Sequence, residues 1–459
     1  MRLDALFRPK SIAVVGASEK PTIGKRLIAS LDRIGFPGSV FPVNPSYSAV
    51  LGRECYASVA ELPEPPDVAV FCVGHARVLD PLRAAVECGV KGAVIYDGGF
   101  AERGEEGRRL QSQIEGICRN AGTALCGPNC MGVLSPHDRS STYLQELRDA
   151  AGLAGNVGIV SQSGAFCISL LTDIRRFGFS HVVSSGNEAV LVAADYLEYL
   201  VDDPNTKVIG GFIETIRCPE RFVAVLDRAA AQGKPVVMLK VGRAERTQRA
   251  VTTHTGGLAG DAAFVSELLR AHDVIEVADL VEFTELLAAL QGVRRAAGRR
   301  IGVITSSGGL AELILDTAAS ADLQLPPLSA AAKSEIEGQI GFVSGDGNPL
   351  DAWGNGTFAA NLPHALALFD RSPDHDIIAF CRDNCDGQPF EMPEIPLSYL
   401  ELFVRAAASS KKPHYLLHTR PGVMNREQVA HLRAAGVAVV GGIREGLVAI
   451  DRLTRHGNP

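Results

Sequence analysis

Residues 11–18 read SIAVVGAS, a short apolar run that ends in three small residues. A helical stretch follows, and the same pattern returns in SVFPVNP at 39–45, DVAVFCV at 67–73 and GAVIYDGGF at 92–100. Apolar runs that do not alternate with polar residues, and that are separated by helices, are typical of a parallel sheet covered on both faces. The sequence therefore predicts a doubly wound α/β domain that ends near residue 145.

The same alternation starts again twice further along the chain. NVGIVSQSGAF at 156–166 and VIGGFIETI at 208–216 belong to the second round, and RIGVITSSGGLAE at 300–312 opens the third. The segment GVRRAAGRR, just before the third round, has the composition of an exposed connector. We therefore expect repeated α/β architecture rather than a repeated sequence. The expected domains are residues 1–145, 146–295 and 296–459.

Composition places the chain among ordinary globular proteins, with 46% hydrophobic and 21% charged residues. A net charge of −7 argues against a general nucleic-acid binder. The chain lacks the uncharged apolar run of about 18 residues that a membrane helix needs. Its first ten residues, MRLDALFRPK, also lack the apolar core of a signal peptide. A soluble, cytoplasmic protein without a membrane partner is expected.

The ten cysteines are scattered along the chain and form no C-x-x-C pair. Cys126 with Cys130, or Cys381 with Cys385, could be imagined as metal ligands, but neither pair has a zinc-site spacing with further partners. We interpret the cysteines as reduced core residues and expect no metal site.

The glycine turn after the first predicted strand does not fit a nicotinamide cofactor. Gly16 and Gly24 lack the G-x-G-x-x-G spacing, and the second strand ends in Asn44 and Pro45 without an acid for a ribose diol. This argues against an NAD-dependent dehydrogenase, but it leaves room for a phosphate-bearing nucleotide. A purely structural connector is the alternative.

A second turn, in IVSQSGAF, places Ser161, Ser163 and Gly164 where a helix begins after a strand. Hydroxyls and free N–H groups at such a point can hold a phosphate. Two alternatives remain. Ser163 could simply cap the helix, or a serine could act as a nucleophile, although the G-x-S-x-G pattern is missing. ITSSGGLAE offers a similar turn of low specificity.

The stretch VTTHTGGLAG at 251–260 sets His254 among small hydroxyl residues and glycines. A neutral imidazole is a good nucleophile near pH 7, and Gly256 would let the backbone approach a bulky anion. Glu214, at the end of an apolar strand, could hydrogen-bond one ring nitrogen and leave the other free to attack. The alternatives for Glu214 are an exposed charge at the strand end, or a pair with Arg217 or Arg221.

Eight motifs in order extend this interpretation: SIAVVGAS, VFPVNP, GAVIYDGGF, GPNCMGV, GIVSQSGAF, IETI, VTTHTGGLAG and GNPLDAWG. Together they resemble the α subunit of nucleoside-diphosphate-forming acyl-CoA synthetases. This family of ADP-forming acetate–CoA ligases is related to succinyl-CoA synthetase. The resemblance covers nearly the whole chain. It implies a Rossmann-like domain that binds coenzyme A, followed by two flavodoxin-like ligase domains, the first of which carries a phosphorylated histidine.

Site residues follow from the resemblance. It implies that His254 carries the phosphoryl group, with Thr253 in place of the usual serine, and that Glu214 steadies the phosphohistidine. Tyr96 and Asp97 stand where relatives commonly have smaller residues. The implied phosphate-binding residues are Ser161, Ser163, Gly164 and Gly256. The implied contacts to coenzyme A are Gly16, Ala17, Ser18, Asn44, Pro45, Val73, Gly74, Tyr96, Asp97 and Gly98.

The resemblance implies an acid–thiol ligase that interconverts a small carboxylic acid, coenzyme A and a nucleoside triphosphate with acyl-CoA, nucleoside diphosphate and phosphate. The reaction would pass through an acyl phosphate and the phosphohistidine. ATP or GTP, with Mg²⁺, would bind to a separate ATP-grasp β subunit in an α2β2-like hetero-oligomer. The alternative is a non-catalytic sensor of coenzyme A or acyl-CoA, which would need neither His254 nor Glu214.

Overall fold

A computed structural model describes residues 3–172, 176–243, 262–292, 294–321, 323–383, 397–422 and 424–456. The chain divides into two compact units, residues 1–174 with 178–277, and residues 175–177 with 278–459. Two of the three large sheets lie in the first unit and one lies in the second. The division into three domains therefore stays a proposal. Within the described residues, every helix is too short or too polar to traverse a lipid bilayer.

The first sheet is parallel throughout, in the order β2-β1-β5-β6-β7. Its strands and the small hairpin β3–β4 are β1 (Ser11–Val15), β2 (Ser39–Val43), β3 (Ala49–Val50), β4 (Arg53–Glu54), β5 (Val68–Phe71), β6 (Gly92–Ile95) and β7 (Ala124–Cys126). Four of these strands, β1, β5, β6 and β7, are buried at every position, as expected for apolar runs covered on both faces.

Helices cover this sheet by burying one apolar stripe each. They are α1 (Asp4–Phe7), α2 (Ile23–Ile34), α3 (Leu79–Glu87) and α4 (Glu105–Ala121), with 3-10 turns at Val59–Glu61, His75–Arg77 and Ala101–Arg103. In α2 the buried residues include Leu27, Leu31 and Ile34, the spacing of one helix face. The sequence pattern and the burial therefore agree.

The second sheet has the order β14-β13-β12-β10-β11-β8-β9. Its strands are β8 (Gly132–Ser135), β9 (Ser140–Ser141), β10 (Ala154–Ser161), β11 (Phe179–Ser184), β12 (Val208–Ile213), β13 (Val236–Lys240) and β14 (Val274–Val277). Strands β10 to β14 are parallel, whereas β8 runs antiparallel to β11. The helices are α5 (Gly164–Leu171), α6 (Ala193–Asp202), α7 (Pro219–Ala231) and α8 (Ala262–Ala271).

Two features explain why the first two sheets form one compact unit. Strands β8 and β9 precede residue 145 in the chain, yet they pair with the second sheet. One apolar cluster also contains Val14 and Val70 of the first sheet together with Val160 and Ile209 of the second. The two sheets therefore share a hydrophobic core.

The second unit contains a parallel sheet in the order β16-β15-β17-β18-β19, the doubly wound order of flavodoxin-like folds. The strands are β15 (Ile301–Thr305), β16 (Leu350–Asp351), β17 (Ile377–Cys381), β18 (His414–His418) and β19 (Ala438–Gly441). The helices are α9 (Leu280–Ala289), α10 (Gly308–Ser320), α11 (Ala330–Ile340), α12 (Phe358–Arg371), α13 (Leu397–Ser409), α14 (Arg426–Ala434) and α15 (Ile443–Arg455). The doubly wound α/β fold expected from the sequence is confirmed.

In each sheet, the first of the parallel strands lies between the next two strands that join the parallel part. Strand β1 lies between β2 and β5, β10 between β11 and β12, and β15 between β16 and β17. The connections leave in opposite directions there, and ligands of doubly wound folds bind at the carboxyl ends of such strands. The three small-residue turns of the sequence therefore stand at the positions where a ligand site is expected.

The cysteines follow the expected pattern with one exception. Most of the nine described cysteines are buried or half-buried, and all nine are free thiols. Cys218 is exposed, so the interpretation of every cysteine as a core residue was wrong. It precedes Pro219 at the start of α7, where it is the N-cap residue with φ of 57°.

Candidate active site

The turn after β10 is held together by its own hydroxyl groups. Ser161 is fully buried, and its Oγ donates to the carbonyl oxygen of Ser163 at 2.7 Å and accepts from the Ser163 N–H at 3.0 Å. Ser163 is the N-cap of α5, and its Oγ accepts from the Phe166 N–H at 3.4 Å. The capping interpretation is therefore correct for Ser163. The free N–H groups of the first helical turn are the donors that remain for an anion.

Gly164, the first residue of α5, packs against Met131. A Cβ atom at position 164 would overlap Cγ of Met131. The Met131 N–H in turn donates to Ser184 Oγ at 3.0 Å, at the end of β11. A side chain at position 164 would therefore have to displace the Met131 side chain, which lies directly against the helix start.

Glu214 follows β12, the neighbour of β10, and is only 8% exposed. This burial excludes the interpretation of Glu214 as an exposed charge at a strand end. Arg221 pairs with Asp195 and Glu198, each at 2.6 Å. The sequence of β12 and its parallel register with β10 bring Glu214 to the same edge of the sheet as the Ser161 turn.

Gln162 fixes the turn that carries Glu214, and sequence reasoning missed it. Its Oε1 accepts from the N–H groups of Glu214 at 2.7 Å and Thr215 at 2.9 Å, and its Nε2 donates to the Thr215 carbonyl at 2.8 Å. All three hydrogen bonds cross from the end of β10 to the end of β12. An amide residue between two serines, at the point where an apolar strand becomes a helix, was the signal that could have revealed it.

Lys240 supports Glu214 from the other side. It ends β13, where it pairs with Ile213 of β12, and its Nζ donates to the Glu214 carbonyl at 2.9 Å and to the Val241 carbonyl. Burial lowers the pKa of the Lys240 ammonium, although the charge of Glu214 counteracts this effect. The turn at Glu214 is thus held by side chains from both neighbouring strands.

His254 and Gly256 lie outside the described residues. The roles assigned to them stay predictions that rest on the sequence and on the family resemblance. The structure brings together the other members of the predicted site, Ser161, Ser163, Gly164 and Glu214, at the carboxyl ends of β10 and β12.

The predicted contacts to coenzyme A gather at the carboxyl edge of the first sheet. Gly16 has φ of 88°, and a Cβ atom there would lie 2.8 Å from the Cys72 carbonyl oxygen, so only glycine fits. The side-chain amide of Asn44 donates to the Ala17 carbonyl at 2.6 Å. Ser18 Oγ donates to the Tyr47 hydroxyl at 3.1 Å. The exposed Pro45 follows directly after Asn44.

The turns after β5 and β6 adjoin this group. Val73 packs against Gly16, and Asp97 Oδ2 accepts from the N–H of His75 at 2.5 Å and lies 2.9 Å from its Nδ1. Gly74 faces the same carboxylate. A cavity of about 670 Å³ opens beside this turn; its lining includes His75, Gly99, Arg103, Arg109 and Gln113.

Tyr96 and Gly98 differ in what they can offer a ligand. The Tyr96 ring is buried, its hydroxyl donates to the Thr142 carbonyl at 2.5 Å, and burial raises its pKa well above the usual value. Its side chain belongs to the protein interior, which leaves only its backbone at the edge of the sheet. Gly98 lies close to Glu102 and Asn129, where a Cβ atom would have contacts of 3.1 and 3.4 Å.

Family profiles match both of these regions. Residues 10–136 match a family described as a CoA binding domain, and residues 154–290 match a succinyl-CoA ligase like flavodoxin domain. The α subunit of ADP-forming acetate–CoA ligase I from Pyrococcus furiosus is 35% identical over 333 residues, which are 71% of this chain and 71% of that relative. The α subunit of ligase II from the same organism is 34% identical, with 76% of each chain covered. This chain belongs to the family of ADP-forming acetate–CoA ligase α subunits.

Other relatives of this ligase-family chain are longer. A trans-feruloyl-CoA synthase from an unknown prokaryotic organism is 38% identical over 71% of this chain and 46% of its own length. For the ADP-forming acetate–CoA ligase I of Archaeoglobus fulgidus the identity is 32%, over 82% of this chain and 54% of the relative. The chain spans about half the length of these two curated relatives.

A solved structure extends the similarity over the third sheet. The dinucleotide forming acetyl-coenzyme A synthetase 1 of Ca. Korarchaeum cryptofilum, in complex with phosphate and ADP, has a TM-score of 0.83 and 29% identity. The match covers 99% of this chain and 97% of that chain. The family resemblance and the fold class derived from the sequence are therefore confirmed.

Proposed function

We propose that this chain is the α-type subunit of a nucleoside-diphosphate-forming acyl-CoA synthetase. It interconverts a small carboxylic acid, coenzyme A and a nucleoside triphosphate with acyl-CoA, nucleoside diphosphate and phosphate. The observation that carries the proposal is the buried Glu214 beside the Ser161 turn, at the switch point of a sheet that shares its core with the CoA-binding domain.

In the direction of acyl-CoA synthesis, a ring nitrogen of His254 takes the γ-phosphoryl group of the nucleoside triphosphate. The bond between the γ-phosphorus and the bridging oxygen breaks, and nucleoside diphosphate leaves. The phosphoryl group then passes to a carboxylate oxygen of the acid, which gives an acyl phosphate and restores the histidine. The deprotonated thiol of coenzyme A attacks the acyl carbon, the carbon–oxygen bond breaks and inorganic phosphate leaves. Splitting one difficult transfer in this way lowers each barrier.

The chain's own residues have distinct tasks in this scheme. The Glu214 carboxylate accepts a hydrogen bond from the second ring nitrogen, fixes the tautomer and stabilises the cationic phosphoimidazole. The first turn of α5 offers N–H donors to the phosphate after Ser163 has closed the turn. Arg103 and Arg109 line the cavity beside Asp97 together with Glu106, and their guanidinium groups suit the phosphates of coenzyme A.

The nucleotide step belongs to a partner in this proposal. We assign ATP or GTP, with Mg²⁺, to an ATP-grasp β subunit in an α2β2-like assembly. The relatives named as α subunits support this assignment, and the longer relatives are compatible with fusion of the same parts in one chain.

Labelling tests the phosphohistidine directly. With γ-labelled ATP, Mg²⁺ and an ATP-grasp partner that co-purifies with the chain, the wild type should take up label that is stable to base and lost in acid. His254→Ala should abolish the label because no acceptor nitrogen remains. His364→Ala, a change at an exposed position of α12, is the matched control and should keep it. Label that persists in His254→Ala would refute the assignment.

The role of Glu214 is tested in the same assay. Glu214→Gln should slow label uptake by about 10- to 100-fold because an amide cannot stabilise the imidazolium charge, while binding of coenzyme A stays intact. Glu220→Gln, at an exposed position in the first turn of α7, is the control. Unchanged phosphorylation kinetics in Glu214→Gln would contradict the orienting role.

A further inference from the structure

The turn after β11 contains two buried polar residues that the scheme above does not use. Asn187 and Glu188 are each 3% exposed. Glu188 has φ of 55°, a left-handed conformation that costs a residue with a side chain on the order of 1 kcal/mol. At Gly186, a Cβ atom would overlap the carbonyl oxygens of Pro128 and Asn129. The turn is therefore held in a strained conformation against the chain that links the two sheets.

Asn187 reaches towards the first sheet. Its Nδ2 donates to Glu102 Oε2 at 2.6 Å and to Gln111 Oε1 at 3.0 Å. The other oxygen of Glu102 accepts from the N–H groups of Gly99 at 2.5 Å and Phe100 at 3.1 Å. The side chain of Asn187 thus holds, through one carboxylate, the backbone that directly follows the proposed coenzyme A contacts at 96–98.

The charge state of Glu102 fits this arrangement. Burial alone would raise the pKa of its carboxyl, but the hydrogen bonds from Asn187 and from backbone N–H groups bring the pKa below its usual value. The carboxylate is therefore ionised at neutral pH, when it accepts all of these bonds. Charge-assisted hydrogen bonds are stronger than neutral ones, so the link is a firm one.

Glu188 is linked instead to the Ser161 turn, which follows β10. Its Oε1 accepts from Ser185 Oγ at 2.8 Å, and Ser185 in turn donates to the Ser161 carbonyl from its N–H at 2.8 Å and from its Oγ at 3.3 Å. Gln162 is the residue that holds the N–H groups of Glu214 and Thr215. Gln162 follows Ser161 directly, so Glu188 acts through Ser185 and Ser161 on the turn that orients Glu214.

We propose that Asn187 and Glu188 are positioning residues. Asn187 holds the turn at 96–100, which carries proposed coenzyme A contacts, and Glu188 holds the Ser161 turn, so that the distance between the two turns of one reaction centre stays fixed. The proposal rests on the proposed function, because only acyl transfer between the two turns requires their separation to be fixed. The strained turn that carries both residues is the common frame, so the loss of one side chain releases only the turn that this side chain holds. A misplacement of about 1 Å between reacting groups can cost about 100-fold in rate.

The proposal predicts different kinetic defects for variants of Asn187 and of Glu188. Asn187→Ala should raise the KM for coenzyme A by about 10-fold in acyl-CoA formation from acyl phosphate, with histidine labelling by γ-labelled ATP within about 2-fold of wild type. Glu188→Ala should slow labelling by about 10-fold and leave the KM for coenzyme A unchanged. Glu188→Gln should restore labelling, since its side-chain oxygen can still accept from Ser185.

Controls separate positioning from general damage. Asn120→Ala, at an exposed position of α4, should change neither readout. If Asn187→Ala does not fold, as judged by its melting temperature, Glu102→Gln reaches the same backbone from the other side and should raise the KM for coenzyme A selectively. Equal defects of both variants in both readouts, or no defect in either, would overturn the proposal. A wild type that takes up no label refutes the proposed function instead, so the two failures are distinguishable.

Discussion

Glu188 holds a carboxyl group in surroundings that favour its neutral form. Burial raises its pKa to about 7, although the nearby side chains of Gln162 and Ser185 and the charge of Arg217 counteract the effect. The Arg217 Nε lies 3.7 Å from Glu188 Oε2, and the buried Tyr196 is a further titratable group that interacts with it. The residue therefore changes charge near the pH at which the enzyme would work.

This shift makes stability depend on pH in a defined window. In the unfolded chain the carboxyl loses its proton near 4.5, whereas in the folded protein it keeps it up to about 7. The folded state thus binds more protons between these values, and its stability falls as pH rises through them. Glutamine has no proton to lose. Glu188→Gln should gain stability over wild type between pH 5 and 7, by at most about 3 kcal/mol.

Melting temperatures of wild type and Glu188→Gln, measured between pH 5 and 8, check this expectation. The difference should grow in favour of the variant up to about pH 7 and then level off. A difference that stays constant over the whole range would show that the carboxyl does not titrate there.

At the scale of the element, the start of α5 packs closely because Gly164 has no side chain. Gly164→Ala should lower stability by about 1–3 kcal/mol, since the new methyl group would overlap Met131. Gly164→Ala combined with Met131→Ala should recover part of the loss. Thermal unfolding of the three proteins measures this. The control is Gly116→Ala in α4, where a methyl group meets nothing within 4 Å and should leave stability equal or raise it.

A destabilisation by Gly164→Ala that the second change does not relieve would mean that Met131 is not the obstacle. Equal stability of the single variant and wild type would mean that the helix start can move. In that case the N–H groups of α5 are not held in one place for a phosphate.

The strands show what the sequence could reveal. Continuous apolar runs predicted β1, β5, β10, β12 and β15 because strands buried on both faces need apolar residues at every position. The pairing of β8 with β11 was not predictable. Their residues are far apart in sequence, and β8 has only four residues, so no local pattern records the partnership.

The sequence also predicted some residues of the candidate site and missed others. Motifs and the family resemblance pointed to the Ser161 turn and to Glu214, which the structure places at one edge of the sheet. Gln162 and Asn187 were missed because their importance lies in hydrogen bonds to residues distant in sequence. Glu188 was missed because it acts through Ser185, whose bond to the Ser161 carbonyl joins two strands that are apart in sequence. Hydrogen bonds between side chains and distant backbone leave no periodic signal. His254 rests on the sequence and on the family.

For the molecule as a whole, ligand binding should raise the free energy of unfolding. Coenzyme A at about 100 times its dissociation constant should stabilise the folded chain by about 2.7 kcal/mol. NAD should give no shift, since the turn at Gly16 lacks the dinucleotide spacing and Asn44 and Pro45 replace the ribose-binding acid. Thermal-shift measurements with both compounds decide the matter. A shift with NAD equal to that with coenzyme A would contradict the assignment of the first sheet.

The hairpin of β8 and β9 bears on how this protein family can evolve. It is encoded with the first α/β region, yet it covers the edge of β11 in the second sheet. A recombination event that separated the two regions near residue 145 would uncover that edge and expose it to pairing with other chains. We therefore expect exchange between relatives to keep the two regions together as a pair.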